Sequence, residues 1–235
     1  MSMRTENVSF KYQRKHIFKS LNIQLKKHAI TTIIGPNGSG KSTLLQILSR
    51  NLEPSEGIVY LDNQIISSLN RKTLARQLAT VHQNNRAPED FTVKEVVQCG
   101  RYSYQSILKK DIKQEEVIQH VLHQLELEDF QDKPISELSG GELRYLEIWL
   151  LICQPTDFLL LDEPFTGVEP MFINLISDLI EQFRCKKGFI ITDHNYHYLL
   201  EIATQITMLN DGVSIQINDK KELEQFYVPN GTFKE

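Results

Sequence analysis

This chain of 235 residues is poor in the features that mark secreted, membrane-spanning and polyanion-binding proteins. Its three cysteines, Cys99, Cys153 and Cys185, are widely spaced and odd in number, which fits neither a disulfide framework nor a zinc-ligand pattern. A reducing, cytoplasmic setting is expected. Long apolar runs are missing: the longest, Ile148–Cys153, falls far short of the ~20 residues that span a bilayer, and Met1–Val8 carries no apolar signal core. Any service to a membrane is therefore expected from outside the lipid. Positive charge is not in excess either, with 26 Lys and Arg against 30 Asp and Glu, a net charge of -4. Nothing in that balance draws the chain to nucleic acid or an anionic surface. Internal repeats and low-complexity linkers are also absent.

The remainder is ordinary for a globular fold, since a hydrophobic fraction of 40% suffices to offset the ordering entropy of the chain. Alternation over Glu6–Tyr12 and Ile17–Leu25 predicts two strands joined by a basic connection, an antiparallel edge. Ala29–Ile34 is a short β-rich run that stops at Gly35, and Leu44, Leu45, Ile47 and Leu48 follow at helical spacing. The strand Ile58–Leu61, a helix over Arg71–Leu78 and a strand at Thr80–His82 continue the α/β pattern. Helical spacing and dense charge from Thr92 to His123 predict a helical insert. One domain is expected, with a core of residues 1–86 and 155–235 and a helical subdomain over 87–154. Phe158–Leu161 and Phe189–Thr192 read as buried parallel strands separated by the helix Phe172–Arg184. Ile206–Leu209 and Val213–Ile217, around Asn210-Asp211-Gly212, read as a closing hairpin.

Three motifs carry chemistry. Gly35-Pro36-Asn37-Gly38-Ser39-Gly40-Lys41-Ser42 matches the phosphate loop and lies between a predicted strand and helix, as that loop requires. Its glycines let backbone N–H groups close on phosphates at a helix N-terminus; Lys41 is placed to reach the β- and γ-phosphates, Ser42 to hold Mg²⁺ and Thr43 to add a hydroxyl contact. Phe158-Leu159-Leu160-Leu161-Asp162-Glu163 is an apolar strand ending in two acids. If this strand neighbours the phosphate-loop strand, Asp162 lies beside the metal and Glu163 faces the γ-phosphate, where a carboxylate can deprotonate water. The plainer alternative is a turn or N-cap acid before Pro164. Finally, Ser139-Gly140-Gly141-Glu142 precedes a long apolar stretch and has the form of a capping box, which by itself only starts a helix. A cap needs no Gly-Gly, however, whereas a surface that presents bare N–H groups to a phosphate does. Two phosphate-binding helix ends in one chain point to two chains facing head to tail with ATP between them.

These motifs, in this order, resemble the ATP-binding subunit of ABC transporters over almost the whole chain, with Leu138-Ser139-Gly140-Gly141-Glu142 matching that family's signature. The resemblance implies a P-loop NTPase fold of α/β class, the ABC cassette, with a RecA-like core, an antiparallel β edge and a helical insert. It implies ATP and Mg²⁺ as ligands, ATP hydrolysis, transmembrane permease subunits and a second ATPase copy as partners, no nucleic acid, and a place on the cytoplasmic face of the membrane. It further implies that Tyr12 stacks on adenine, that Gln83 senses the γ-phosphate and Mg²⁺, that Asp162 reaches the metal through water, and that His194 holds Glu163 and its water. Tyr12 can equally be a core aromatic in line with Val8 and Phe10, and Gln83 and His194 can be surface polar residues at strand ends.

Thr166-Gly167-Val168-Glu169 occupies the family's D-loop, whose last residue is usually Asp, so the acid here is one methylene longer. Leu74–Ala79, Thr92-Val93 and Gly100–Tyr104 are similar to importers of iron-siderophores and cobalamin, with Arg86, Phe91, Arg101, Tyr102 and Tyr104 as candidate permease contacts. Asp193-His194-Asn195 and the stretch Leu143–Trp149 resemble lipid-exporter ATPases as readily, and a soluble nucleotide switch is the reading from another class.

Overall fold

The computed structural model describes residues 2–81, 91–100, 119, 122–123, 131–194, 196–218 and 222–223. The chain divides into one unit of Met1–Gln83, Pro155–Thr166 and Ser177–Glu235, and a second of Asn84–Gln154 and Gly167–Ile176. Residues 167–176, placed with the 155–235 core on sequence grounds, group instead with the helical unit, where Glu169 and Phe172 lie against Gly141.

In the first unit, β1 (Ser2–Tyr12) is the hub of an antiparallel sheet with β2 (Lys15–Leu21), β3 (Gln24–Lys26), β5 (Glu56–Leu61) and β6 (Gln64–Ile65). The expected single strand Ile17–Leu25 is two, because the chain shifts from pairing the end of β1 (Phe10 with Phe18) to pairing its start (Met3 with Leu25). The switch occurs where Asn7 and Ser20 take left-handed backbone and the Asn22 side chain accepts from Asn7 N at 2.9 Å, a bulge that bends the ladder.

A second sheet comprises β4 (Ile30–Ile34), β7 (Leu78–Val81), β8 (Phe158–Asp162), β9 (Gly188–Thr192), β10 (Gln205–Asn210) and β11 (Val213–Ile217), in the order β11-β10-β4-β9-β8-β7. All pairings are parallel except the β10–β11 hairpin. Every residue of β4, β8 and β9 is buried, as strands covered on both faces must be. Alternation along β4 sends Ile33 to one core and Ile34 to the other.

The Ile33 core is built around α1 (Lys41–Leu48). Its Leu44, Leu45, Ile47 and Leu48 pack with Val8, Phe18 and Leu25 of the antiparallel sheet and with Phe158, Leu160 and Ile190 of the parallel sheet. Truncating one such leucine costs ~2–5 kcal/mol, so the helix that begins at the phosphate loop is pinned between two sheets. α2 (Arg71–Gln77) is capped by Asn70, whose side chain accepts from Thr73 N at 2.8 Å.

The second unit contains α3 (Val93–Gly100) and α4 (Gly140–Cys153). Thr92 and Glu95 form a reciprocal cap at the start of α3, Glu95 N donating to Thr92 Oγ1 at 3.2 Å and Thr92 N to Glu95 Oε2 at 2.8 Å. Thr92 Oγ1 also donates to Glu95 Oε2, at 3.0 Å, and the two bonds from Thr92 to the carboxylate hold it below its ordinary pKa. A bridge between Thr92 and Pro134 ties the entry of α3 to the segment preceding α4. Two further helices are α5 (Pro170–Phe183) and, packed on the Ile34 core, α6 (Tyr196–Ile202).

Candidate functional site

Gly35 ends β4 beside β10. A Cβ there would sit 2.4 Å from Leu209 O and 2.6 Å from Ser39 Oγ, so the loop leaves the strand at a distance only glycine allows. Gly40, at φ +99°, is the N-cap of α1 and makes no side-chain cap bond; a Cβ on it would lie 2.5 Å from Ile17 Cγ2 and 2.7 Å from the Phe18 ring. Leu44 N donates to Gly40 O at 2.8 Å, which leaves the N–H groups of Lys41, Ser42 and Thr43 directed out of the helix end. This is the geometry that attracts anions.

Lys41 is only 6% exposed, and its Nζ donates to Gly35 O at 2.9 Å and Pro36 O at 3.2 Å. Burial pushes its pKa below the ordinary lysine value, while Glu163, Asp162 and Asp193 pull it back up. Pro36 also accepts from Ser39 N at 3.1 Å, closing the turn that carries Asn37 and Gly38.

The strand carrying the two acids does not neighbour the phosphate-loop strand: β9 lies between β8 and β4. Asp162 meets the loop nonetheless, because α1 packs across the sheet onto β8. Ser42 Oγ donates to Asp162 Oδ1 at 3.0 Å, and Thr192 Oγ1 donates to the same oxygen at 2.6 Å.

Glu163 stands in left-handed backbone at φ +52°, rare for a residue with a Cβ, and its N–H donates to Thr192 O at 2.8 Å. The residue is 7% exposed; Oε1 of its carboxylate lies 2.7 Å from His194 Nε2, and Oε2 accepts from Thr166 Oγ1 at 3.3 Å. Asp193 Oδ2 accepts from Phe165 N at 2.7 Å. The consecutive residues Thr192, Asp193 and His194 at the end of β9 thus hold, respectively, Asp162, the loop after Glu163, and Glu163 itself. Sequence reasoning singled out His194 but missed Thr192 and Asp193, whose role depends on β9 lying next to β8.

A cleft of about 450 Å³ brings together Tyr12, Gly38, Lys41, Thr43, Glu163 and His194. Tyr12 is 48% exposed and stands edge-on to buried Phe10, with ring centroids 4.9 Å apart, so the core-aromatic alternative is overturned. Lys15 and Ile17 also line the cleft. The sequence places Lys15 in a basic connection and Ile17 at the start of a strand, with no site role for either; β2 begins at Lys15, opposite Tyr12, and delivers both.

In the second unit, Ser139 is the N-cap of α4. Glu142 N donates to Ser139 Oγ at 3.2 Å and Ser139 N to Glu142 Oε2 at 2.7 Å, the capping box read from sequence. Gly140 and Gly141 form the first turn between them. Gln83, Arg86, Arg101, Tyr102 and Tyr104 lie outside the described residues, whereas Phe91 is 37% exposed. No helix among the described residues is long and apolar enough to cross a membrane.

Residues 18–166 match the family model described as "ABC transporter". The chain is 35% identical over 213 residues to the petrobactin import ATP-binding protein FpuD of Bacillus anthracis, covering 89% of this chain and 78% of that one. It is 30% identical over 224 residues to the ferric enterobactin transport ATP-binding protein FepC of Escherichia coli strain K12, covering 94% and 83%. Among solved structures, the ADP conformation of an ATP-binding cassette of an ABC transporter superposes with a TM-score of 0.80 at 28% identity, covering 96% of this chain and 94% of that one. The phosphate loop, the acid pair, the capped glycine turn and these likenesses converge: the chain belongs to the ABC transporter family, as one of its ATP-binding cassettes.

Proposed function

We propose that the chain hydrolyses ATP to ADP and phosphate in a head-to-tail pair of chains, and that the closing and reopening of this pair drives permease subunits that import a siderophore-type metal chelate. The observation that carries the catalytic part is the 2.7 Å contact of Glu163 with His194 in the cleft that also holds Lys41 and the α1 N-terminus. The relatives named for petrobactin and ferric enterobactin support import over export.

The N–H groups of the loop and of Lys41 to Thr43 receive the phosphates, and the Lys41 ammonium exchanges its bonds to Gly35 O and Pro36 O for β- and γ-phosphate oxygens. Tyr12 offers an exposed ring at the cleft rim for the adenine. Ser42 Oγ and Asp162, the latter oriented by Thr192, offer the hard oxygens that would hold Mg²⁺, and Gln83 would join them. Bound there, Mg²⁺ supplies charge neutralisation on the β- and γ-phosphate oxygens.

Glu163 takes the proton of the attacking water while the water oxygen bonds to the γ-phosphorus and the bond to the β-phosphate oxygen breaks. His194, 49% exposed in its side chain, holds the carboxylate from the open side and donates to the γ-phosphate. The Ser139 to Glu142 turn of the facing chain closes on the same phosphate. The cassette then sits at the cytoplasmic face through its permease partners.

Glu163→Gln tests the assignment. With Mg-ATP, ATP binding should persist, a dimer should accumulate in light scattering, and phosphate release should fall about 10²–10⁴-fold, the contribution of a positioned base. Unchanged phosphate release would remove Glu163 from the chemistry.

A further inference from the structure

We propose that Glu169 is an electrostatic brake on the ATP-driven pairing of two chains: its carboxylate lies, within its own chain, against the glycine turn that must receive the γ-phosphate of the facing chain. The proposal rests on the head-to-tail reading above.

The position of Glu169 follows from its length. Ile173 N donates to Glu169 O at 3.1 Å, which makes Glu169 the N-cap of α5, with Pro170 as its first residue. Short oxygen-bearing side chains suit an N-cap because they fold back onto the N–H groups of the first turn; a glutamate overshoots them. Here Oε2 comes within 2.4 Å of the point where a Cβ on Gly141 would stand, and the Phe172 ring comes within 2.3 Å of the same point. Gly141 is thus boxed in by a ring and a carboxylate, and no larger residue fits there.

The same turn is the receiving end of α4. Four N–H groups at a helix start lack intrahelical acceptors. The capping box serves two of them, those of Ser139 and Glu142. The N–H groups of Gly140 and Gly141 remain for an outside acceptor. Beside Gly140 the surface is open, the nearest atom to its Cβ position being Gly167 O at 3.9 Å, whereas beside Gly141 the Glu169 carboxylate is already in place. A negative charge at that end satisfies the helix dipole in the unpaired chain and repels a phosphate that arrives there. Closure therefore requires Glu169 to swing aside or to tolerate the phosphate. Removing its charge should favour pairing severalfold at each site, and about tenfold for a pair with two sites.

The test compares the full chain carrying Glu163→Gln with the same chain carrying Glu163→Gln and Glu169→Gln, by sedimentation with Mg-ATP across a concentration series. The expected result is a dimer Kd about tenfold lower for the double variant at low salt, narrowing to about twofold at roughly 0.5 M salt as the charge is screened. Affinity of the dilute monomer for a fluorescent ATP analogue should be the same in both. Glu169→Asp in place of Glu169→Gln, which withdraws the carboxylate by one methylene and restores a capping side chain, should also tighten the dimer. Equal or weaker pairing of the Glu169→Gln chain overturns the brake, as does a gain that ignores salt. If the Glu163→Gln chain alone never pairs, the facing-chain reading fails and the brake with it. If that chain pairs and Glu169→Gln changes nothing, only the brake fails.

Discussion

Glu163 stores backbone strain at the reacting end of β8, and that strain can be measured apart from its chemistry. At φ +52° a residue with a Cβ pays ~1–2 kcal/mol that glycine does not. Glycine in turn loses ~0.5–1 kcal/mol more chain entropy on folding than alanine. Glu163→Gly should therefore be more stable than Glu163→Ala by ~0.5–1 kcal/mol. Both variants lose the contacts to His194 and Thr166 equally, so those terms cancel in the comparison. For a domain of this size each kcal/mol moves Tm by about 2–4 °C. Calorimetry without nucleotide should thus place the glycine variant about 1–4 °C above the alanine variant, with phosphate release lost in both. The reference site is Thr192, which lies in ordinary extended backbone on the adjacent strand; glycine there should melt below alanine. A glycine variant at 163 that melts with or below its alanine counterpart would refute the strain, and with it the idea that the carboxylate is aimed by an unfavourable backbone.

Other perturbations test other parts of the molecule. Tyr12→Ala removes the exposed ring at the cleft rim and should weaken ATP about 5- to 150-fold, since an aromatic–base stack is worth ~1–3 kcal/mol, while Tyr12→Trp keeps it; titration with a fluorescent nucleotide decides. Glu147, 3.0 Å from Arg144 on α4, has its pKa raised by burial against the opposing pull of Arg144. The folded chain therefore holds that proton to higher pH than the unfolded chain, and stability falls as pH rises from about 4.3 through the raised value. Glu147→Gln should remove this slope, so the Tm of the parent relative to the variant should decline over that window. A flat difference between them would contradict the burial effect.

Local rules were enough for much of this protein. Alternation and helical spacing located β1, β4, α1, β8, β9 and the closing hairpin because each is covered in a regular pattern, by one face or by both. Gly35 to Thr43 and Ser139 to Glu142 were legible because each is a contiguous string whose glycines and caps serve backbone groups within a few residues of themselves. The division of Ile17–Leu25 into β2 and β3 was not legible, since it is decided by which part of β1 each half pairs with. Strand order was equally hidden: no local signal says that β9 separates β8 from β4, that α1 nevertheless carries Ser42 to Asp162, or that Thr192 and Asp193 hold the acid pair and its loop. Nor did the sequence reveal where the extra methylene of Glu169 would send its carboxylate. Sequence by itself determined which backbone donors two helix starts present, because hydrogen-bond donors at a helix start are set by neighbours in the chain. Only the tertiary structure decided which acid, hydroxyl and imidazole stand within 3 Å of one another, because those distances are set by how strands and helices pack across the sheet.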